Sequence, residues 1–385
     1  MQNRLCEMFG IEFPIFAFSH CRDVVAAVSR AGGMGVLGAL AFSPEQLELE
    51  LRWIDEHVDG KPYGVDVVMP VKTADRDAGL ADMSDMGNKL RSMISDDHWL
   101  YAEKILRDAG VDVDEAAGDG PQFGDGLAMG TPQGWTEAGG RPQIEISLSH
   151  PIALLASALG PPPKDAIDQA HEQGVTVAAL IGRVEQAVRD AQLGVDIIIA
   201  QGYEAGGHTG EVASMVLVPD VVDAVAPIPV LAAGGIGTGR QMAAAMALGA
   251  QGVWTGSIWL TVAESDTSPA VQQKLLTARS TDTVRSRAMT GKPARQLRTK
   301  WTEAWDSSDG PGPLPMPLQT ILYSSAMRKL GGNRADGPAA ELVGSPVGQI
   351  VSRMNSVRTA KEVILEMVEE FIDAAEQVHG ATRVD

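Results

Sequence analysis

Residues 197–210 read Ile-Ile-Ile-Ala-Gln-Gly-Tyr-Glu-Ala-Gly-Gly-His-Thr-Gly, a continuous apolar run that empties into a glycine-rich turn carrying one histidine. Such a run reads as a strand buried on both faces, and the ends of such strands are where barrel enzymes place their reactive groups. Gly206 and Gly207 let the main chain pass close to a planar ligand, with His208 displayed over it. An imidazole, with an ordinary pKa of ~6.5, suits proton transfer near neutral pH.

Two further turns follow the same logic. Val-Leu-Ala-Ala-Gly-Gly-Ile-Gly-Thr-Gly at 230–239 and Gly-Val-Trp-Thr-Gly-Ser at 252–257 each join a short apolar run to small residues. In barrel enzymes the loops after the seventh and eighth strands commonly hold a phosphate through backbone N–H groups and a helix N-terminus. Gly234, Gly235, Gly256 and Ser257 are the candidates. Donors of this kind need no lysine, so the formal net charge of −19 is compatible with a phosphorylated cofactor. The same charge argues against nucleic acid, whose binding rests on clustered Lys and Arg.

The elements that must carry these loops can be read in order. Apolar runs at Phe13–Phe18, Met34–Gly38, Tyr63–Met69, Gln143–Ser147, Val175–Ile181, Val195–Ala200, Pro229–Ala233 and Gly252–Thr255 predict eight strands. Amphipathic stretches at Asp23–Ala31, Pro44–His57, Arg183–Leu193 and Gly239–Leu248 predict helices between them. The alternation predicts an α/β fold, a (β/α)₈ TIM barrel, with a long insertion after strand 3 and a helical C-terminal extension. A dinucleotide-binding sheet is disfavoured, because no GxGxxG opens a helix after the first strand.

On this reading the barrel spans 1–69 and 143–264. Residues 70–142 form an inserted, lid-like segment over the strand C-termini, and 265–385 form a helical extension packing on the barrel. In the extension, Thr359 and Glu362 have capping-box spacing, and Val363, Leu365, Val368, Phe371, Ile372 and Ala375 are read as a core-facing stripe.

The chain has 385 residues and 44% hydrophobic composition, enough for a large core. It shows no apolar run long enough to span a membrane and no basic-then-apolar leader, so the expectation is a cytoplasmic protein without a membrane partner. Cys6 and Cys21 are too few for a disulfide framework, and no metal-ligand spacing is seen.

The runs Gln-Gly-x-Glu-Ala-Gly-Gly-His-x-Gly at 201–210, Ala-Ala-Gly-Gly-Ile-x-x-Gly-Arg at 232–240 and Ala-Leu-Gly-Ala-x-Gly-Val at 247–253 resemble the nitronate monooxygenase family, formerly 2-nitropropane dioxygenases. Phe-Pro-Ile-Phe-Ala-Phe at 13–18 and the run at 27–39 extend the likeness to the start of the barrel, so that it covers the barrel from about Phe13 to Glu264 but neither the Pro70–Pro142 insertion nor the tail. Flavin-type enoyl-ACP reductases and actinobacterial proteins of acyl-CoA metabolism resemble the same motifs.

The resemblance implies FMN as cofactor, with His208 as the catalytic histidine and Gln201, Gly206, Gly207, Gly234, Gly235, Gly256 and Ser257 at FMN-binding positions. Ala17, Phe18 and Ser19 fall where the family has an Ala-Pro-Met turn against the flavin. Asp66 stands where an asparagine is usual, and Thr176 where a lysine is frequent. FMN rather than FAD is expected, since one phosphate site and no adenosine fingerprint are visible. His20 and His150, both just past expected strand ends, are candidates for a second polar group in the substrate pocket.

The implied reaction is oxidation of an alkyl nitronate or nitroalkane, with O₂ or another acceptor taking the electrons. The alternative is a flavin-dependent dehydrogenase or enoyl reductase acting on an acyl-CoA thioester, including steroid- or lipid-derived ones. A third reading is a flavin-binding scaffold without turnover, and a homo-oligomer is compatible with all three.

Overall fold

The computed structural model describes residues 1, 3–69, 86–113, 137–330 and 337–381. Its strands are β1 (Ile15–Ser19), β2 (Met34–Gly38), β3 (Tyr63–Val68), β4 (Leu154–Ala158), β5 (Thr176–Ile181), β6 (Ile197–Gln201), β7 (Gly207–His208), β8 (Val230–Ala233), β9 (Gly252–Thr255), β10 (Thr283–Ser286) and β11 (Ala294–Leu297). Its helices are α1 (Arg4–Phe9), α2 (Arg22–Arg30), α3 (Pro44–His57), α4 (Met86–Ser92), α5 (Asp96–Asp108), α6 (Glu137–Ser149), α7 (Lys164–Glu172), α8 (Val184–Leu193), α9 (Ser214–Val225), α10 (Gly239–Ala247), α11 (Pro269–Thr277), α12 (Lys300–Asp306), α13 (Leu318–Lys329) and α14 (Ala360–Ala381).

Strands β1, β2, β3, β4, β5, β6, β8 and β9 close into a parallel barrel, β9 pairing back to β1 through Ile15–Val253 and Ala17–Thr255. Alternate residues point inward: Phe16, Val36, Ala156, Ala178, Ile199 and Trp254 share the inner core, and α1 closes its lower end with Leu5 and Phe9. Phe9 meets Phe16 edge-on at 5.6 Å, and Trp254 stacks between Phe16 and Phe18 at 6.5 and 6.3 Å. Aromatic side chains therefore fill the axis from the floor up to the strand C-termini.

The fourth strand differs from the expectation. Gln143–Ser147 belongs to α6, and the strand is Leu154–Ala158. Gln-Ile-Glu-Ile-Ser alternates as a half-exposed strand would, but a parallel barrel strand is covered on both faces and need not alternate. In α6, Ile144 and Leu148 lie four apart and share the buried face. Buried Gln143 donates through Nε2 to the carbonyls of Ala39 and Phe42. The barrel's outer layer thus resumes at α6, which packs on α3 and β3.

The extension is helical but also supplies β10 and β11. Strand β11 pairs antiparallel with β7, Ala294 opposite His208, which fixes the tail across the barrel mouth. Trp301, Trp305 and Tyr323 form its own aromatic core. Helix α5 docks there, with Tyr101 edge-on to Trp305 and its hydroxyl donating to the Ala304 carbonyl at 2.8 Å.

In α14 the Thr359–Glu362 cap forms as expected, but Leu365 and Ile372 are exposed, and the buried face is Ala360, Val363, Ile364 and Met367. The positions i, i+3, i+4 and i+7 outcompete the six-residue stripe because the helix lies on α10. Among the described residues no helix is long and apolar enough to cross a membrane.

Candidate active site

A cavity of about 820 Å³ opens at the C-terminal ends of the barrel strands, within the size range of small-molecule and cofactor pockets. Phe18, Ser19, His20, Asp66, Gln201, Gly206, Gly207, His208, Gly234, Gly235, Gly256 and Ser257 all border it. Two candidates do not. Ala17 points outward into the layer between strands and helices, since its neighbours Phe16 and Phe18 take the inward positions. His150 precedes β4 and lies at the opposite end of the barrel, with Nδ1 2.7 Å from Asp55 Oδ2 and Nε2 3.0 Å from Glu48 Oε2.

Most of the expected cover falls outside the described residues. Residues 70–85 and 114–136 lie outside the described set, and of 86–113 none lines the cavity. The wall above the strand ends comes instead from the tail, through Met289, Thr290, Lys292, Pro293, Ser345, Pro346 and Ile350. Sequence reading missed Thr290 and Lys292, which lie over 80 residues beyond the histidine they serve. The Thr-Gly-Lys-Pro run at 290–293 marks a turn and nothing more specific.

His208 Nε2 lies 2.8 Å from Thr290 Oγ1. That hydroxyl donates to the Lys292 carbonyl at 3.2 Å and accepts from the Lys292 N–H at 3.3 Å, so its remaining capacity is as an acceptor. The proton therefore belongs on Nε2, which makes Nδ1 the basic nitrogen. Burial and the nearby Lys292 ammonium push the imidazole pKa down to about 3, so the ring is neutral at physiological pH. Burial also lowers the Lys292 ammonium from its ordinary value.

His20 is held differently. Its Nδ1 lies 2.9 Å from the Gly38 carbonyl, which can only accept, so Nδ1 carries the proton. Its ring meets Phe18 edge-on at 5.0 Å, and burial lowers its pKa.

The glycines earn their places at two points. A Cβ at Gly206 would lie 2.7 Å from the Gly348 nitrogen and 2.8 Å from the Val347 carbonyl carbon, so main chain from barrel and tail touch there. Gly234 and Gly235 have φ of 100° and 70°, a region that residues with a Cβ enter only with strain. The loop bearing His208 is further tied to the tail by buried Arg295, which donates through Nε and Nη2 to the Tyr203 carbonyl and stands 4.5 Å above the Tyr203 ring.

The N-terminus of α10 is already capped by a carboxylate, with Gly239 N donating to Glu370 Oε2 at 2.8 Å, and a Cβ at Gly239 would collide with the Met367 carbonyl. The groups left for an anion are the loops at 234–235 and 256–257. Ser257 opens a 3₁₀ turn that ends at Thr261, and its Oγ accepts from Gly348 N at 2.9 Å.

A family profile for nitronate monooxygenase matches residues 2–370. The chain belongs to the nitronate monooxygenase family. Among curated relatives, the "Putative monooxygenase Rv1533" of Mycobacterium tuberculosis is 52% identical over 384 residues, covering 99% of each chain. Among solved structures, nitroalkane oxidase from Streptomyces ansochromogenes superposes with a TM-score of 0.77 at 24% identity, covering 98% of this chain and 100% of that one. FabK from Thermotoga maritima gives 0.69 at 25% identity, covering 99% of each. Membership makes the chain an oxidoreductase on a TIM barrel, and the shared likeness now spans the insertion and most of the tail.

Proposed function

We propose that this protein is an FMN-dependent oxidoreductase that oxidises alkyl nitronates or nitroalkanes with O₂ as the electron acceptor. The observation that carries the reading is His208: a half-buried, neutral imidazole on the wall of the cavity at the strand C-termini, oriented by Thr290 and bordered by Lys292. A neutral base beside a cation is suited to a substrate that is an anion or becomes one on losing a proton.

The cavity suits the cofactor. Its walls combine turns with positive-φ glycines at 234–235, the open Gly256–Ser257 corner, and a buried carboxyl oxygen, Asp66 Oδ1, with no hydrogen-bond partner among the described residues. Bound FMN would supply a two-electron acceptor. The loops at 234–235 and 256–257 would hold its phosphate, with Gly206, Gly207, Gln201, Phe18, Ser19 and Asp66 bordering the ring. His208 would accept the proton from the carbon next to the nitro group, and Lys292 would hold the resulting negative charge.

A second reading, oxidation or reduction of an acyl thioester, draws on the apolar wall of Leu40, Phe42, Val68 and Leu159 and on Arg183 and Arg189, which also line the cavity. Anaerobic mixing separates the two. Flavin bleaching by an alkyl nitronate, with rapid recovery in air, is the expected result. Bleaching by a saturated acyl-CoA instead, or reoxidation by an unsaturated one, would transfer the site to thioester chemistry, and colourless protein that takes up no FMN would end both readings.

A further inference from the structure

Asp66 is the inward-facing residue at the middle of β3, in register with Gly38 of β2 and Ala156 of β4. It borders the cavity, yet it is only 4% exposed, and among the described residues its Oδ1 has no hydrogen-bond partner. A carboxylate in that position would be a buried charge without compensation, among the costliest arrangements in a protein interior.

Among the described residues no cation relieves it. Strands β2 and β4 carry no ionisable side chain, and α6 behind β3 brings Arg141 and Glu145, Arg141 in an ion pair with Asp165. Across the cavity stand His20, Arg183, Arg189, His208, Glu211, Asp266, Arg285 and Lys292, and none of them forms an ion pair or hydrogen bond with Asp66. Burial alone raises its pKa to about 8.

We infer that Asp66 works as a neutral carboxylic acid, donating its proton in a hydrogen bond to an acceptor atom of the flavin ring. The inference rests on the flavin reading above and adds a linkage to it. A neutral carboxyl can present both a donor and an acceptor to the ring, as an amide does, whereas the ionised form only accepts and would repel the charge of the reduced cofactor. FMN retention should therefore weaken as Asp66 loses its proton.

Two measurements on the full chain test this, each comparing the parent with Asp66→Asn. In the first, unfolding of the apoprotein is followed against pH. A group whose pKa is raised in the native state contributes stability below its unfolded value and loses it as pH rises. The ratio of parent to variant folding constants should thus fall by up to about tenfold per pH unit from about pH 4 to about pH 8 and then level off. A flat ratio means an ionised native carboxyl and overturns the proposal.

In the second, FMN affinity is titrated by quenching of flavin fluorescence. The parent should lose up to about tenfold per pH unit above the carboxyl's pKa, while Asp66→Asn binds to within a few-fold of the parent's low-pH value at every pH. Equal pH profiles with FMN bound overturn the role of Asp66 and leave the flavoprotein reading intact. Failure of either protein to bind FMN at any pH overturns both.

Discussion

Two histidines that look alike in the sequence stand at opposite ends of the barrel. His208 ends a loop at the strand C-termini, faces a hydroxyl 2.8 Å away, and is buried enough to stay neutral. His150 precedes β4 at the floor, each ring nitrogen opposite a carboxylate, and one of those, Asp55, also accepts from the Tyr63 hydroxyl at 2.6 Å. The floor uses its polar groups to fasten α3 to β3 and β4, satisfying each against another side chain. The mouth leaves Asp66 Oδ1 without a partner among the described residues and keeps its imidazoles neutral. Position at a strand end is thus not enough to make a histidine reactive, and the partner decides.

The comparison breaks most decisively at His208. His208→Asn should retain fold and FMN, because the groups assigned to the phosphate lie at 234–235 and 256–257, while turnover falls by about 10²- to 10⁴-fold, or about 3–5 kcal/mol of barrier. Steady-state rates with a nitronate, measured beside flavin content and melting temperature, check it. Parent-like turnover in a flavin-loaded variant would remove His208 from the mechanism and shift attention to His20, which shares the cavity.

The neutral state of His208 has its own signature. Its native pKa of about 3 lies below the unfolded value of ~6.5, so the unfolded chain takes up a proton first as pH falls. Stability owed to this group is fully present above pH ~6.5 and is lost progressively toward pH 3, by up to about tenfold in the folding constant per pH unit. Denaturant titrations of the parent and His208→Asn should therefore converge on acidification, and parallel curves would mean a protonated native imidazole.

How much of this was legible follows from where each constraint originates. The loops at 206–208, 234–235 and 256–257 stand out because doubly covered strands are continuously apolar and end abruptly in glycine. The fourth strand was misplaced because Gln143–Ser147 alternates while the true strand, Leu-Leu-Ala-Ser-Ala, is a short run between a turn at Pro151 and Gly160. That one error also turned His150 end for end, since a residue after a supposed strand became a residue before the real one. Thr290 and Lys292 reach His208 only through the antiparallel pairing of β7 with β11, and no local pattern encodes a contact across that separation.

Thr290→Val gives a smaller effect that sharpens the comparison. It keeps the shape of the side chain and removes the acceptor that orients the imidazole, so His208 Nε2 and the Lys292 N–H lose a partner in a buried place. Loss of such a bond costs about 1–3 kcal/mol. The expected outcome is a fall of about tenfold or more in kcat with FMN binding nearly unchanged, whereas Thr290→Ser, which keeps the hydroxyl, should recover most of the rate. A Val variant with parental kcat would show that packing alone aims the ring.

The smallest effect belongs to His150, and it is the one that tests whether floor and mouth are independent. His150→Asn removes contacts to Asp55 and Glu48 whose side chains are 26% and 38% exposed, so water can replace much of what is lost. Partly exposed pairs of this kind contribute about 1 kcal/mol or less. Asp55 keeps the Tyr63 hydroxyl, which limits the damage further. The melting temperature should drop by a few degrees at most, with kcat, KM and FMN affinity unchanged, because the aromatic column from Phe9 through Phe16 and Trp254 to Phe18 stands between the floor and the cavity. A change in kcat would mean that the registration of β3 and β4 at the floor is transmitted to Asp66 at the mouth, and a double variant with Asp66→Asn would then show non-additive losses.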